Sequence, residues 1–264
     1  MLEIIKGHLN QKMDLEEKTH VVREDLQIIV LKILYDLGMF KIIAFVGGTA
    51  LRMLFDLQRF SEDLDFSITK KNGYNFHKLS QDLQYQLKKY GLAVDVKEND
   101  SKIVQTLMLR FRDILPALSL SPLESQKLSI RIEIDTNPPK GWQTEISLIS
   151  KMYTFTVVHY DTPSLYASKL CACFFRKYVK GRDFYDLIWY LGKKVVPNFK
   201  LLNNAIRQFH PEATMVTAQN FKEFLKEQLA KVDFNYVRKD VERFLVNKEE
   251  VSLLDKGLII KLIK

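Results

Sequence analysis

Apolar residues recur along this chain with two periods, and the switches between them mark out its elements. Over residues 14–37, Val21, Leu26, Ile29, Val30, Ile33 and Leu34 repeat with helical spacing, and Gly38 is a stop signal. A short apolar run at 42–46 predicts a buried strand. Gly47 and Gly48 then turn the chain, and residues 49–55 return to helical spacing. After a turn at 58–61, Glu62-Asp63-Leu64-Asp65-Phe66-Ser67-Ile68 alternates, so a strand here sets Asp63 and Asp65 on one face and Leu64, Phe66 and Ile68 on the other. Residues 75–89 read as an amphipathic helix ended by Gly91, and 92–97 and 103–111 read as strands. At 127–135, KLSIRIEID puts Leu128, Ile130, Ile132 and Ile134 on one face and Ser129, Arg131, Glu133 and Asp135 on the other. Residues 137–141 (NPPKG) break the pattern, and 144–158 reads as short strands or a hairpin.

From Pro163 onward the chain reads as almost entirely helical. A buried helix starts with Ser164 as the candidate N-cap, a second helix opens at 180–187, and amphipathic helices follow at about 199–208, 218–231, 236–246 and 251–262. The expected fold is α+β, with an N-terminal α/β half around a small mixed sheet (1–162) and a C-terminal helical half (163–264).

Charge divides along the same line. From Leu165 onward, 19 Lys and Arg stand against 11 Asp and Glu and account for the whole net charge of +8, while the first 164 residues balance at 21 of each. A basic helical half suggests a polyanionic partner, with RNA the leading candidate. No apolar run approaches the ~18 residues of a membrane span. Lys6, His8, Asn10 and Lys12 interrupt the N-terminus, and the only cysteines, Cys171 and Cys173, are too few and too close for a disulfide framework. A cytoplasmic protein with no membrane partner is expected.

The chemistry concentrates between residues 42 and 68. A strand that ends in two glycines and feeds a helix can hold phosphate, because the backbone comes close to a ligand and the helix start offers free N–H groups. Two carboxylates side by side repel each other unless a cation lies between them. Hard oxygen ligands beside such a turn point to Mg²⁺, or Mn²⁺, holding a nucleoside triphosphate. On the strand at 127–135, Glu133 and Asp135 both face a way that could supply a third carboxylate. Lys169, inside an apolar helix, either reaches the surface or faces triphosphate oxygens. Asp183 and Asp186, three apart at a helix start, with Arg182 beside them, could equally form an ion-paired helix cap.

Gly47-Gly48-Thr49-Ala50-Leu51-Arg52, followed by Arg59-Phe60-Ser61-Glu62-Asp63-Leu64-Asp65-Phe66, resembles the first motif of the AbiEii/AbiGii/MenT-type nucleotidyltransferases, toxins within the DNA polymerase β-like superfamily. Thr49 stands where many superfamily members have Ser and keeps the hydroxyl. Arg131-Ile132-Glu133 is similar to the family's second motif, with Arg for Lys, and carries the third carboxylate onto Glu133, with Asp135 as its rival. Ala167-Ser168-Lys169 and Lys180-Gly181-Arg182-Asp183-Phe184-Tyr185-Asp186-Leu187 resemble the later motifs. The resemblance implies transfer of a nucleotide from an NTP to an acceptor, with release of pyrophosphate. Asp63, Asp65 and Glu133 would hold the metal ions, Gly47, Gly48 and Thr49 would cradle the β/γ-phosphates, and Lys169 would neutralise the leaving group. Arg52, Arg182, Asp183 and Asp186 are further nucleotide-site candidates. An RNA acceptor, some relatives modifying tRNA 3′ ends, and a separately encoded antitoxin partner are implied as well. The alternatives are a nucleotidyltransferase for a small hydroxylated molecule such as an aminoglycoside, and a non-catalytic RNA- or protein-binding module.

Overall fold

The computed structural model describes residues 1–123 and 125–263. The chain forms two compact units. The first comprises residues 1–55, 60–138 and 146–159, and the second 56–59, 139–145 and 160–264. The division is not a single cut, because two short segments of the N-terminal half group with the helical unit.

Seven strands form a mixed sheet: β1 (Ile43–Val46), β2 (Asp63–Ile68), β3 (Val94–Asn99), β4 (Val104–Phe111), β5 (Leu128–Asp135), β6 (Thr144–Ser150) and β7 (Thr154–Tyr160), in the order β3-β4-β5-β2-β1-β7-β6. β2 runs antiparallel to β1 and parallel to β5, and β4 is antiparallel to both β3 and β5. Alternation sorts the side chains. Leu64, Phe66 and Ile68 of β2, Leu107, Leu109 and Phe111 of β4, and Leu128, Ile130, Ile132 and Ile134 of β5 are all buried on one face. Against this core pack the helices Leu15–Asp36 and Phe76–Lys89. Each such side chain stabilises the fold by ~1.5–3 kcal/mol, so a one-residue slip, which would turn the whole set outward, is strongly disfavoured. The opposite face of β2, β5, β4 and β3 carries mostly polar residues, with Val104 and Met108 of β4 among them.

Local chemistry sets the helix limits. Asp14 caps Leu15–Asp36 in a capping box: its carboxylate accepts from the Glu17 N–H at 2.8 Å, and the Glu17 carboxylate accepts from the Asp14 N–H at 2.9 Å. Asn75 caps Phe76–Lys89 by accepting from the Lys78 N–H.

In the second unit, the helix expected to begin at Ser164 begins earlier. It runs Thr162–Phe174, and its cap is Asp161, which accepts from the Ser164 N–H at 3.0 Å. Pro163 fits the first turn, where no N–H is required. The Ser164 hydroxyl instead accepts from the Gln143 N–H and the Asn198 amide, each at 3.1 Å. The helices Gly181–Gly192, Phe199–Phe209, Phe221–Ala230, Phe234–Val241 and Lys256–Leu262 follow. Two 3₁₀ segments, Glu242–Phe244 and Lys248–Leu253, replace parts of the longer helices read from the sequence, and Asn247 caps the second of them. Among the described residues no helix is long and apolar enough to cross a membrane.

Gly181 shows how closely this unit is packed. Its N–H donates to Asp240 at 2.7 Å, and a Cβ built on it would meet the Val237 carbonyl oxygen at 2.2 Å. Backbone cannot yield as a flexible side chain can. Gly181→Ala is therefore expected to push the helices Gly181–Gly192 and Phe234–Val241 apart and destabilise the protein by ~1–3 kcal/mol, read as a lower denaturant midpoint.

Candidate active site

β1 ends at Val46, whose strand partner is Asp65, and the helix Gly47–Phe55 follows without a loop. Gly47 has φ +79°, and a Cβ on it would lie 2.2 Å from Asp65 Oδ2. Glycine is required here twice over, for the left-handed backbone and because the Asp65 carboxylate fills the space a side chain would need. The first N–H groups of the helix, which have no intrahelical partners, thus start beside a carboxylate. Thr49 is fully buried. Its hydroxyl donates to the Asp63 carbonyl and lies 2.8 Å from Ser61 Oγ, so it ties the helix start to the head of β2 rather than facing outward.

Asp63 and Asp65 share the polar face of β2 and are half-buried. The parallel register with β5 sets Glu133 directly beside Asp65 and Arg131 beside Asp63, whereas Asp135 sits beside Ser67. Asp135 accepts from the Asn137 N–H at 2.9 Å, and burial pushes its carboxyl above the ordinary value. The Glu133 carboxylate leans toward Arg131, 3.4 Å away. Among the described residues, no three His, Cys, Asp or Glu side chains form a ready-made metal cage. The donor set nevertheless suits a hard divalent cation. Mg²⁺ is usually held by one or two carboxylates together with substrate phosphates, and Asp63 and Asp65 provide that pair next to a helix start.

Arg52 points elsewhere. Its Nε donates to Glu24 at 2.9 Å and its guanidinium lies 5.1 Å from the centre of the Phe60 ring. Burial would raise the Glu24 carboxyl, but Arg52 and Lys151 together hold it below its usual value. A cavity of ≈ 320 Å³ opens beside Asp63, with Arg23, Glu62, Lys127, Ser129 and Arg131 in its wall.

The remaining candidates lie in the second unit and form a set of their own. Lys169 Nζ is 2.7 Å from both Asp183 and Asp186. Arg59 grips Asp186 with two hydrogen bonds of 2.6 Å, and Arg176 reaches Asp183 at 3.1 Å. Lys169, Arg59 and both aspartates are buried. Burial alone would neutralise such groups. The two aspartates instead raise the Lys169 ammonium above its ordinary value, and Lys169, Arg176 and Arg59 hold the Asp183 carboxyl below its own. Lys169 is thus engaged by two carboxylates rather than offered to solvent. The Arg182 guanidinium lies 4.1 Å from the centre of the Phe244 ring.

The family model for the AbiEii nucleotidyl transferase toxin, of type IV toxin–antitoxin systems, matches residues 30–252. The chain belongs to this family. As an AbiEii member it is a nucleotidyltransferase that uses a nucleoside triphosphate, and its family implies an antitoxin partner. The crystal structure of JHP933 from Helicobacter pylori superposes with a TM-score of 0.55 at 21% identity, over 92% of this chain and 91% of that one. A second Helicobacter pylori crystal structure, described as a candidate nucleotidyltransferase, gives the same TM-score and identity over 91% and 92%. These likenesses establish a shared fold. No curated protein matches the chain in sequence.

In the sequence of this AbiEii-family chain little marks Arg59 and Arg176 as the partners of Asp186 and Asp183. Arg59 lies 127 positions from Asp186, too far for any local pattern, and its only signal was its place at the head of the Arg59–Phe66 motif. Lys169→Met, which leaves buried carboxylates short of a partner, is expected to cost ~3–5 kcal/mol in urea unfolding. The sign of the pH dependence follows from Asp183. A carboxyl held below its unfolded value contributes stability above that value, 3.8, and loses the contribution as pH falls through the folded one. Unfolding free energy measured at falling pH should therefore drop below about pH 4.

Proposed function

We propose that this protein transfers a nucleoside monophosphate from an NTP to the 3′ end of an RNA, with tRNA the expected acceptor, and that Asp63, Asp65 and Glu133 hold the divalent ions the reaction needs. The observation that carries the reading is the close approach of the Asp65 carboxylate to Gly47, which sets a carboxylate pair beside a helix start. In this reading the N–H groups of Gly48 and Thr49 receive triphosphate oxygens at the positive end of the helix. Glu133, beside Asp65 in the register, adds the third carboxylate. Mg²⁺, or Mn²⁺ in its place, would supply charge neutralisation on the triphosphate and acidify the attacking hydroxyl. The acceptor oxygen bonds to the α-phosphorus as the bond to pyrophosphate breaks, and the hydroxyl proton passes to water. Such a transfer depends mainly on positioning and electrostatics, which a rigid sheet face provides.

The Lys169–Asp183–Asp186–Arg59 set supports the reading as a scaffold. It makes the second unit stiff around its motif residues, while Arg52 holds the Leu15–Asp36 helix through Glu24. The basic excess from Leu165 onward favours an RNA over a cationic small molecule as acceptor.

The protein incubated with Mg²⁺, each α-³²P-labelled NTP in turn and total bacterial RNA should label a tRNA-sized band. Asp63→Ala should remove at least ~99% of the label, a loss of the order expected when a metal-holding carboxylate goes, with an unchanged melting curve, because a half-buried carboxylate adds little to the core. Full transfer by Asp63→Ala would refute the metal assignment. Pyrophosphate release that needs a small molecule instead of RNA would refute the acceptor.

A further inference from the structure

The polar face of the sheet continues well beyond the carboxylates. Strand register lays it out in rows that cross the sheet. Asp65, Glu133, Thr106 and Asn99 form one row, and Asp63, Arg131, Met108 and Lys97 the next. The third holds Ser129, Arg110 and Asp95. Lys127 and Arg112, at the ends of β5 and β4, close on the same place: Lys127 Nζ is 2.7 Å and Arg112 Nε 3.4 Å from Asp95. Lys97, Arg110, Arg112, Lys127 and Arg131 are all exposed; Asp95 faces Arg110, Arg112 and Lys127, and Glu133 of the first row lies 3.4 Å from Arg131.

The balanced charge of the first 164 residues hides this segregation, since carboxylates gather at one end of the face and cations at the other. The ≈ 320 Å³ cavity joins the two ends: Asp63 lies in its wall together with Lys127 and Arg131, and Met108 and Leu115 add apolar surface. Cations spaced along a sheet face, beside a cavity with apolar side chains in its wall, match a single strand of nucleic acid, whose phosphates seek charge and whose bases seek apolar contact. A folded protein partner would call for a larger apolar patch than Met108 and Leu115 offer.

We propose that this cavity and the cationic rows of β5, β4 and β3 form the binding track for the single-stranded end of the acceptor RNA, which leads its terminal hydroxyl toward Asp63. The proposal rests on the RNA-transfer reading above and adds the surface that such a reading leaves unassigned. It locates acceptor binding on the first unit, where the overall charge gave no sign of it.

The test uses the full chain and a Lys97→Gln/Arg110→Gln/Lys127→Gln variant, all three positions being exposed side chains away from the carboxylate row. Binding of bulk tRNA is measured against NaCl concentration, and binding of a fluorescent NTP with Mg²⁺ is measured in parallel. The variant is expected to bind tRNA at least ~10-fold more weakly at low salt, with a shallower salt dependence, since each lost phosphate contact removes close to one unit of slope. Its NTP binding should match that of the parent, and Arg110→Lys alone should keep tRNA affinity. Equal tRNA affinity and slope in variant and parent would overturn the track, as would absence of tRNA binding by the parent. Weakened tRNA binding by the variant, with a parent that labels no RNA, would uphold the track and sink the transfer reading alone.

Discussion

The contact between the Asp65 carboxylate and the Gly47 backbone is the constraint around which the first unit is arranged. It exists because β1 and β2 are antiparallel neighbours with Val46 opposite Asp65, so the chain that leaves β1 must turn across the carboxylate. A residue without Cβ passes there most readily, and the helix Gly47–Phe55 starts at that point. Thr49 locks the arrangement from below through the Asp63 carbonyl. Carboxylates, helix start and strand register are thus one object, not three features that happen to be near each other.

The second unit solves a different problem. Two aspartates in an apolar interior would be costly, and three cations offset them through short contacts: Lys169 to both, Arg59 to Asp186 and Arg176 to Asp183. The apolar alternative would hold the unit together as well, so the network contributes fixed geometry more than added stability. The contacts fix the later motif residues of this AbiEii-family chain against one another, while Asp63 and Asp65 stand half-buried on the polar face of the sheet.

Much of the fold was legible because periodicity reports burial. The alternation of 62–68 and 127–135 placed Leu64, Phe66, Ile130 and Ile132 inward and Asp63, Asp65 and Glu133 on the far face, as the structure has them. What stayed hidden depends on partners distant in sequence. A buried lysine and a surface lysine look alike in a string, so the pairing of Lys169 with Asp186 could not be read, nor could the turn of Arg52 toward Glu24. Ser164 looked like a cap because serine caps many helices, yet Asp161 stood one turn earlier with Pro163 already able to sit in the first turn. The inward direction of the Thr49 hydroxyl, toward Ser61 and the Asp63 carbonyl, is likewise set by packing and is not written in the string. Charge counted by halves missed the segregated cations of β3, β4 and β5 for the same reason: the sum discards position.

The most direct test of nucleotide binding at Gly48, Asp63 and Asp65 is a crystal structure of the protein with Mg²⁺ and a non-hydrolysable NTP analogue. Phosphate oxygens are expected against the N–H groups of Gly48 and Thr49, with a cation between them and the carboxylates of Asp63 and Asp65. A nucleotide bound elsewhere, with Asp63 and Asp65 out of contact with both phosphate and cation, would contradict it.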